Sequence, residues 1–457
     1  MPGAPRPNVL VLVLDDIGMD AVSCYPDAAP DARTPTLDSL AARGVRFDRV
    51  WSNPACSPTR ATVLTGRYGF RTGVGSVKAL GLGGLRPEET SLAESLHAAV
   101  PGLRTAFLGK WHLGPAEEQG PVAQGFERFK GTSGNLRVKA RPRPYFEFDE
   151  RQGRSTETSQ RTAYATSAVV DDALGAIQEF GEAPWFVLAS FHAAHTPFHV
   201  PPESLHTRAL SGPPERSARA HFMAMVDALD AEIGRLLAGI PARTRARTQV
   251  IVLSDNGTAS KAQFKDRPVR LGKGSLFEDG IRVPMIVAGS AVESPGRASS
   301  ALVNTTDLFA TVHELMGVAP AEEAVDSLSF VGALRGAAEV DRQWAFAERF
   351  QSSTSPRRWT AVDRYTVRDG RYKLTVDVLG DSMRLHDLTE DPMERVNLLK
   401  AAEISPEVAA AREALQAIVE GTLNRRAAIA QRETERPSEG ARAAGDAPPG
   451  PADEGDR

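Results

Sequence analysis

The sequence predicts an α/β protein with a largely parallel central sheet flanked by helices, followed by a smaller C-terminal α+β subdomain. Short β-branched runs alternate with helix-period segments along most of the chain, the pattern of parallel strands joined by covering helices. Past residue 340 the texture changes to neighbouring alternating strands around a tight turn, which pair antiparallel. The chain has 457 residues, 41% hydrophobic and 25% charged, enough to bury a large core and to form more than one domain.

In chain order, the first strand is "NVLVLVL" (8–14), which runs straight into Asp15 and Asp16. "PACSPTRATVLTGR" (54–67) sets Cys56 at the head of a short apolar run. Pro58 there suits a first helical turn, whose free backbone N–H groups add positive potential at Cys56. The strand "TAFLG" (105–109) precedes Lys110 and His112. "RTAYATSAVVDDALGAIQEF" then places Ala168, Val169, Leu174, Ile177 and Phe180 near one helical face. The strand "WFVLAS" (185–190) leads to His192 and His195. "HFMAMVDALDAEIGRLL" aligns Phe222, Met225, Val226, Leu229, Ile233 and Leu236, with Met225 read as core. The strands "QVIVLS" (249–254), followed by Asp255 and Asn256, and "VPMIVA" (283–288) complete the first unit. "RYTVRDGRYKLTV" is a hairpin around Asp-Gly.

These elements suggest a catalytic α/β unit over 1–340, a C-terminal α+β unit over 341–425, and a tail from 426. The tail is rich in Pro, Gly and Ala, nearly empty of large apolar residues, and expected to be disordered. No internal repeat is visible.

The net charge of -4 provides no global basic field to hold nucleic acid or a membrane surface. Any anionic ligand must meet locally placed cations. Two cysteines, Cys24 and Cys56, make neither a disulfide framework nor a Cys-based zinc spacing. Cys24 reads as a buried small hydrophobe. "VLVLVL" is too short for a secretory segment, so the expected compartment is the cytoplasm. A start that had lost a signal peptide would make the protein periplasmic or secreted.

Four candidate strands end in residues that chemistry can use, and in open α/β sheets the carboxyl ends of strands form the ligand crevice. Singly, paired aspartates can be a helix cap and "SDNG" a turn with Asn and Gly at positive φ. Together, Asp15, Asp16, Asp255 and Asn256 offer hard oxygen ligands suited to Ca²⁺ or Mg²⁺. Arg60, Lys110, His112, His195 and Lys273 add cations or proton donors for an oxyanion on that metal.

These residues resemble the type I, formylglycine-dependent sulfatases, an arylsulfatase-like branch of the alkaline phosphatase superfamily, over about 7–400. "CSPTR" fits that family's C-x-P-x-R signature in full, "ATVLTGR" continues it, and "LHDLTEDPMERVNL" (385–398) is similar to its closing segment. The resemblance implies a separate maturation enzyme that oxidises Cys56 to formylglycine. It also implies calcium ligation by Asp15, Asp16, Asp255, Asn256 and modified Cys56. Arg60 would steady the formylglycine hydrate beside Lys110 and His112, with His195 and Lys273 on the sulfate and the leaving oxygen. A hydrated aldehyde carries two hydroxyls on one carbon, so one can attack sulfur while the other later expels sulfate.

The family usually has Pro before that histidine, where this chain has Ala194, so His192 stays a competitor. His199 reads as structural or as shaping substrate fit. The expected activity is hydrolysis of an aryl or carbohydrate sulfate monoester. The alternatives are a phosphonate or phosphate ester hydrolase, a non-catalytic binding protein that retains the fold, and an unmodified cysteine nucleophile. Residues 131–160 read mostly as a solvated loop that could line the substrate pocket.

Overall fold

The computed structural model describes residues 6–77, 84–115, 120–137, 141–155, 157–264, 271–337, 340–350 and 363–435. Ten strands form the main sheet: β1 (Asn8–Leu14), β2 (Gly44–Trp51), β3 (Arg104–Lys110), β4 (Arg128–Thr132), β5 (Glu147–Gln152), β6 (Ser159–Thr162), β7 (Trp185–Ser190), β8 (Thr248–Ser254), β9 (Met285–Ala288) and β10 (Arg297–Asn304). Their order is β10-β2-β9-β8-β1-β7-β3-β4-β5-β6. The central run β8-β1-β7-β3 is parallel throughout.

The central strand β1 shows why two layers cover the sheet. Its residues are all buried, and alternation sends Leu10, Leu12 and Leu14 into one core and Val9, Val11 and Val13 into the other. Helices Ala165–Phe180 and Ala218–Gly239 cover the leucine side through Val169, Ile177, Phe222, Met225 and Leu229. Leu174, expected on that face, is only partly buried. The valine side packs on Cys56–Thr65, Leu92–Ala99 and Asp307–Leu315.

The sheet corrects the sequence reading in places. The strand expected at 283–288 is β9, and it lies antiparallel between β2 and β8. Residues 131–160, read as a solvated loop, include β5 and the start of β6, with Tyr145 buried. Strand β2, "GVRFDRVW", carries Arg46, Asp48 and Arg49 among its apolar positions, and these charges dilute the apolar signal. Cys24 is half-buried rather than fully buried.

A second sheet of β11 (Ala345–Arg349), β12 (Arg364–Arg368), β13 (Tyr372–Asp377) and β14 (Ser382–Asp387) is sequential and antiparallel. The Asp369 N–H donates to Tyr372 O across the expected Asp-Gly turn (3.1 Å). One face of this sheet packs Val367, Leu374, Val376 and Leu385 on Leu415 and Val419 of the helix Pro406–Glu435. That helix passes the expected boundary at 425 because "RAAIAQRETE" is made of good helix formers, whose propensity does not depend on burial. The remainder of the expected disordered tail, 436–457, lies outside the described residues. No helix among the described residues is long and apolar enough to cross a membrane.

Candidate active site

The four parallel strands end nearly level, with Leu14 beside Ser254 and Val13 beside Ser190, so their following residues share one rim. Gly109 is needed for this: a Cβ there would lie 2.0 Å from Ser190 O, and its φ is 96°. It allows β3 and β7 to close and brings Lys110 to the centre. Asp16 (φ 64°) and His112 (φ 58°) take left-handed backbone at the strand ends, the local strain that functional clefts hold in place. In "SDNG" the glycine serves close approach rather than positive φ, since a Cβ on Gly257 would lie 1.8 Å from Asp279 O.

Cys56 opens the helix Cys56–Thr65, which is buried along its whole length. Ala55 before it provides no side-chain cap. The first N–H groups of the helix therefore add positive potential at the rim.

Around Cys56, acids and cations interlock. Cys56 Sγ donates to Asp15 Oδ1 at 3.6 Å, and Lys273 Nζ donates to Cys56 Sγ at 3.3 Å and to Asp16 Oδ1 at 2.5 Å. Lys110 Nζ, fully buried, bonds Asp15 Oδ2. Arg60 Nε and Nη2 donate to Asp255 Oδ2 at 3.1 and 2.8 Å, and Asp255 Oδ1 accepts the Asp16 N–H at 3.2 Å. Asn256 Nδ2 donates to Asp16 Oδ1 at 2.8 Å. His195 Nδ1 donates to Thr196 O at 2.7 Å, which leaves Nε2 facing Asp16 Oδ2 at 3.9 Å. His112 is buried at the same rim, and its Nδ1 has no partner.

Asp15, Asp16 and Asp255 thus face Arg60, Lys110 and Lys273, one cation for each acid. Burial raises the Asp15 and Asp16 carboxyls, but Lys110 beside the first and Lys273 beside the second outweigh it and hold both below the ordinary value. Burial foremost, then the Asp255 charge, pushes the Cys56 thiol up to about 12. Unmodified, it stays protonated at neutral pH and is a poor nucleophile. Burial and then Lys110 push His112 well below 6.5, so its ring is neutral.

Asp15, Asp16, Cys56 and His195 each offer a ligand atom within 4.8 Å of the others. Asn256 Oδ1 is buried without a hydrogen-bond partner. A buried oxygen lone pair left unpaired is costly, and a cation beside these carboxylates would satisfy it. The residues present therefore fit a hard divalent ion. Asp255 stands apart from the tightest group because Arg60 holds its carboxylate.

Two residues that the sequence reading passed over support the rim. Ser190 Oγ accepts from Arg60 Nη1 at 2.5 Å and donates to Lys110 O at 2.6 Å, tying β7 to β3 and to the guanidinium. Its place at the end of "WFVLAS", like the other rim residues, was the available signal. Tyr145 OH lies 2.6 Å from His192 O and 2.7 Å from His195 O, bracing the turn that carries His195. No local pattern marks it.

His192 and His199, the other two histidines weighed for the site, lie among structural partners. His192 Nε2 bonds Thr132 Oγ1 at 2.8 Å, and burial followed by Lys110 lowers its pKa to about 3. His199 lies 4.2 Å from the Tyr145 ring, and burial lowers it to about 4. Between about 4 and 6.5 the unfolded chain binds the His199 proton and the folded chain does not, so stability falls on acidification through that window. The loss reaches about 3 kcal/mol at most for such a group. Melting temperature should drop from pH 7 to 4.5, and His199→Phe should lessen that slope while His192 keeps a share of it; an unchanged slope would assign the acid lability elsewhere.

The family model "Sulfatase" matches residues 7–318, and "N-sulphoglucosamine sulphohydrolase, C-terminal" matches 271–420. N-acetylgalactosamine-6-sulfatase of Canis lupus familiaris is 31% identical over 369 residues, 74% of this chain and 68% of that one. Arylsulfatase A of Homo sapiens is 29% identical over 478 residues, 90% of this chain and 87% of that one. A solved complex with the substrate D-glucosamine-2-N,6-O-disulfate shares the fold at TM-score 0.72 and 20% identity, covering 92% of this chain and 98% of that one.

Proposed function

Because this chain belongs to the sulfatase family, we propose that it hydrolyses an aryl or carbohydrate sulfate monoester, with Cys56 converted to formylglycine by a maturation enzyme and Ca²⁺, or Mg²⁺, bound beside it. The observation that carries this reading is the position of Cys56 within "CSPTR". It heads a buried helix, 3.6 Å from Asp15 Oδ1 and 3.3 Å from Lys273 Nζ. The relatives' names, one a sugar sulfatase and one an arylsulfatase, support both substrate classes.

Asp15, Asp16, Asp255 and Asn256 would hold the cation. When present, the cation and the formylglycine supply a positive charge for the sulfate oxygens and a hydrated aldehyde as nucleophile. The chain's own charges balance three against three, so a divalent ion tips the centre positive and favours an anionic ester. Lys110 and Lys273, with Arg60 behind them, hold the ester oxygens and stabilise charge that builds there. Asp255 would accept the proton released at residue 56, its carboxylate held in place by Arg60. His195 would donate a proton from Nε2 to the departing oxygen while Nδ1 stays anchored on Thr196 O.

The test of the reaction is a comparison of nitrophenyl sulfate with nitrophenyl phosphate on protein produced with a maturation enzyme. Preference for phosphate would move the chain to the phosphoester branch. The test of His195 uses the leaving group. His195→Ala should slow a sugar or alkyl sulfate by about 10²-fold or more and nitrophenyl sulfate much less, since an activated phenolate departs without a proton. His192→Ala should show no such contrast, its Nε2 being engaged by Thr132. The reverse pattern would transfer the acid role to His192.

A further inference from the structure

Beside the strap 271–277, which carries Lys273, lies a cleft of about 1100 Å³ walled on its far side by the second sheet. Strand alternation explains the wall. Leu374, Val376 and Leu385 face the C-terminal helix, so Thr375 and Asp377 of β13, and Ser382, Arg384 and His386 of β14, face the cleft. The strap has two sides. Lys273 reaches Cys56 and Asp16, while Gly274, Ser275 and Phe277 line the cleft. The Gly274 N–H donates to Pro54 O at 2.8 Å, fastening the strap to the segment that leads into Cys56.

The lining is cationic. The two acids among its described lining residues are already committed: Asp377 pairs with Arg364 at 2.8 Å, and Glu394 pairs with the buried Lys373 at 2.9 Å. Arg349, Arg384, Arg395 and Lys400 line the same cleft and have no carboxylate partner among the described residues. Arg349 Nη1 donates to Gly274 O at 2.8 Å, and the Arg384 guanidinium stacks 5.5 Å from the Phe277 ring centre. Neither ring nitrogen of buried His386, on the cleft wall, has a hydrogen-bond partner. The volume exceeds what a single sugar ring needs, since pockets for drug-sized ligands span about 300–1,000 Å³.

We propose that this cleft binds a second anionic group, sulfate or carboxylate, of the saccharide whose sulfate ester is cleaved at residue 56, so that the enzyme selects multiply charged glycans. This rests on the sulfatase reading above. Arg384, Arg395 and Lys400 provide the charge, and Phe277 a face for a sugar ring.

The test uses the full chain carrying Cys56→Ala, which binds without turnover, and a heparin-derived hexasaccharide followed by calorimetry. Arg384→Ala/Arg395→Ala/Lys400→Ala added to it should weaken binding about tenfold or more and reduce its salt dependence. Carboxyl-reduced and desulfated forms of the hexasaccharide identify which anion the cleft reads. In the active enzyme, the same three substitutions should lower the kcat/KM preference for the hexasaccharide over nitrophenyl sulfate by a similar factor. All three side chains are exposed, and an unchanged melting curve, with Arg384→Gln as a milder variant, guards against misfolding. Equal affinity in parent and triple variant overturns the proposal. Failure of the active enzyme on every sulfate ester would overturn the sulfatase reading instead, while the binding comparison still decides the cleft.

Discussion

Cys56→Ala is expected to leave the protein folded and to remove turnover of every sulfate ester, by roughly 10⁴-fold or more. The side chain is small and ends among polar partners, Asp15 and Lys273, so its loss opens little apolar volume. The helix N-terminus, with Pro58 in its first turn, keeps its backbone geometry. What disappears is the thiol sulfur that the maturation enzyme removes as it oxidises Cβ to the aldehyde; alanine keeps Cβ but offers no thiol to oxidise. In active wild-type protein the peptide containing residue 56 should be about 18 Da lighter than its thiol form, the mass difference of an aldehyde replacing a thiol. An active preparation whose peptide keeps the full thiol mass would sink this mechanism. The thiol itself is a poor substitute, because burial and Asp255 keep it protonated near neutrality.

Exhaustive chelation is expected to abolish activity and to lower the melting temperature by several degrees, both restored by added Ca²⁺. A ligand that binds only the folded state at 100 times its Kd stabilises by about 2.7 kcal/mol, which is several degrees for a chain of this size. The apo site is not expected to collapse, because Lys110 and Lys273 already neutralise Asp15 and Asp16. Asp16→Asn should erase the calcium-dependent part of the melting shift, and because it leaves half-buried Lys273 without its carboxylate partner, the chelated variant should melt below the chelated parent. A melting curve indifferent to calcium in the parent, with activity surviving chelation, would remove the metal from the site.

Much of the candidate site was legible because its strand-end residues occupy a repeated local position. Asp15, Lys110 and Asp255 each stand at or just after the end of an apolar strand, and that pattern needs no knowledge of the fold. Ser190 shares the position and escaped notice only because a serine there has no distinctive chemistry until Arg60 is seen to meet it. Tyr145 lay in a stretch rich in arginine and proline whose composition reads as solvated, yet its ring is buried and its hydroxyl braces the His195 turn. The C-terminal helix ran longer than expected because a scarcity of apolar residues argues against packing but not against helix propensity.

The sequence by itself determined what depends on short-range pattern. The valine and leucine faces of β1, the hairpin at Asp369–Gly370, the helix opening at Cys56 and the placement of Asp15, Lys110 and Asp255 at strand ends all follow from period, turn chemistry and side-chain type. Only the tertiary structure decided which strands are neighbours, that β9 enters antiparallel, and that Lys110 pairs with Asp15 while Lys273 pairs with Asp16 and Cys56. These contacts join residues far apart in the chain, and strand order and register set them. Local periodicity is the same for either neighbour and either direction, so the choice falls to the packing of the whole sheet.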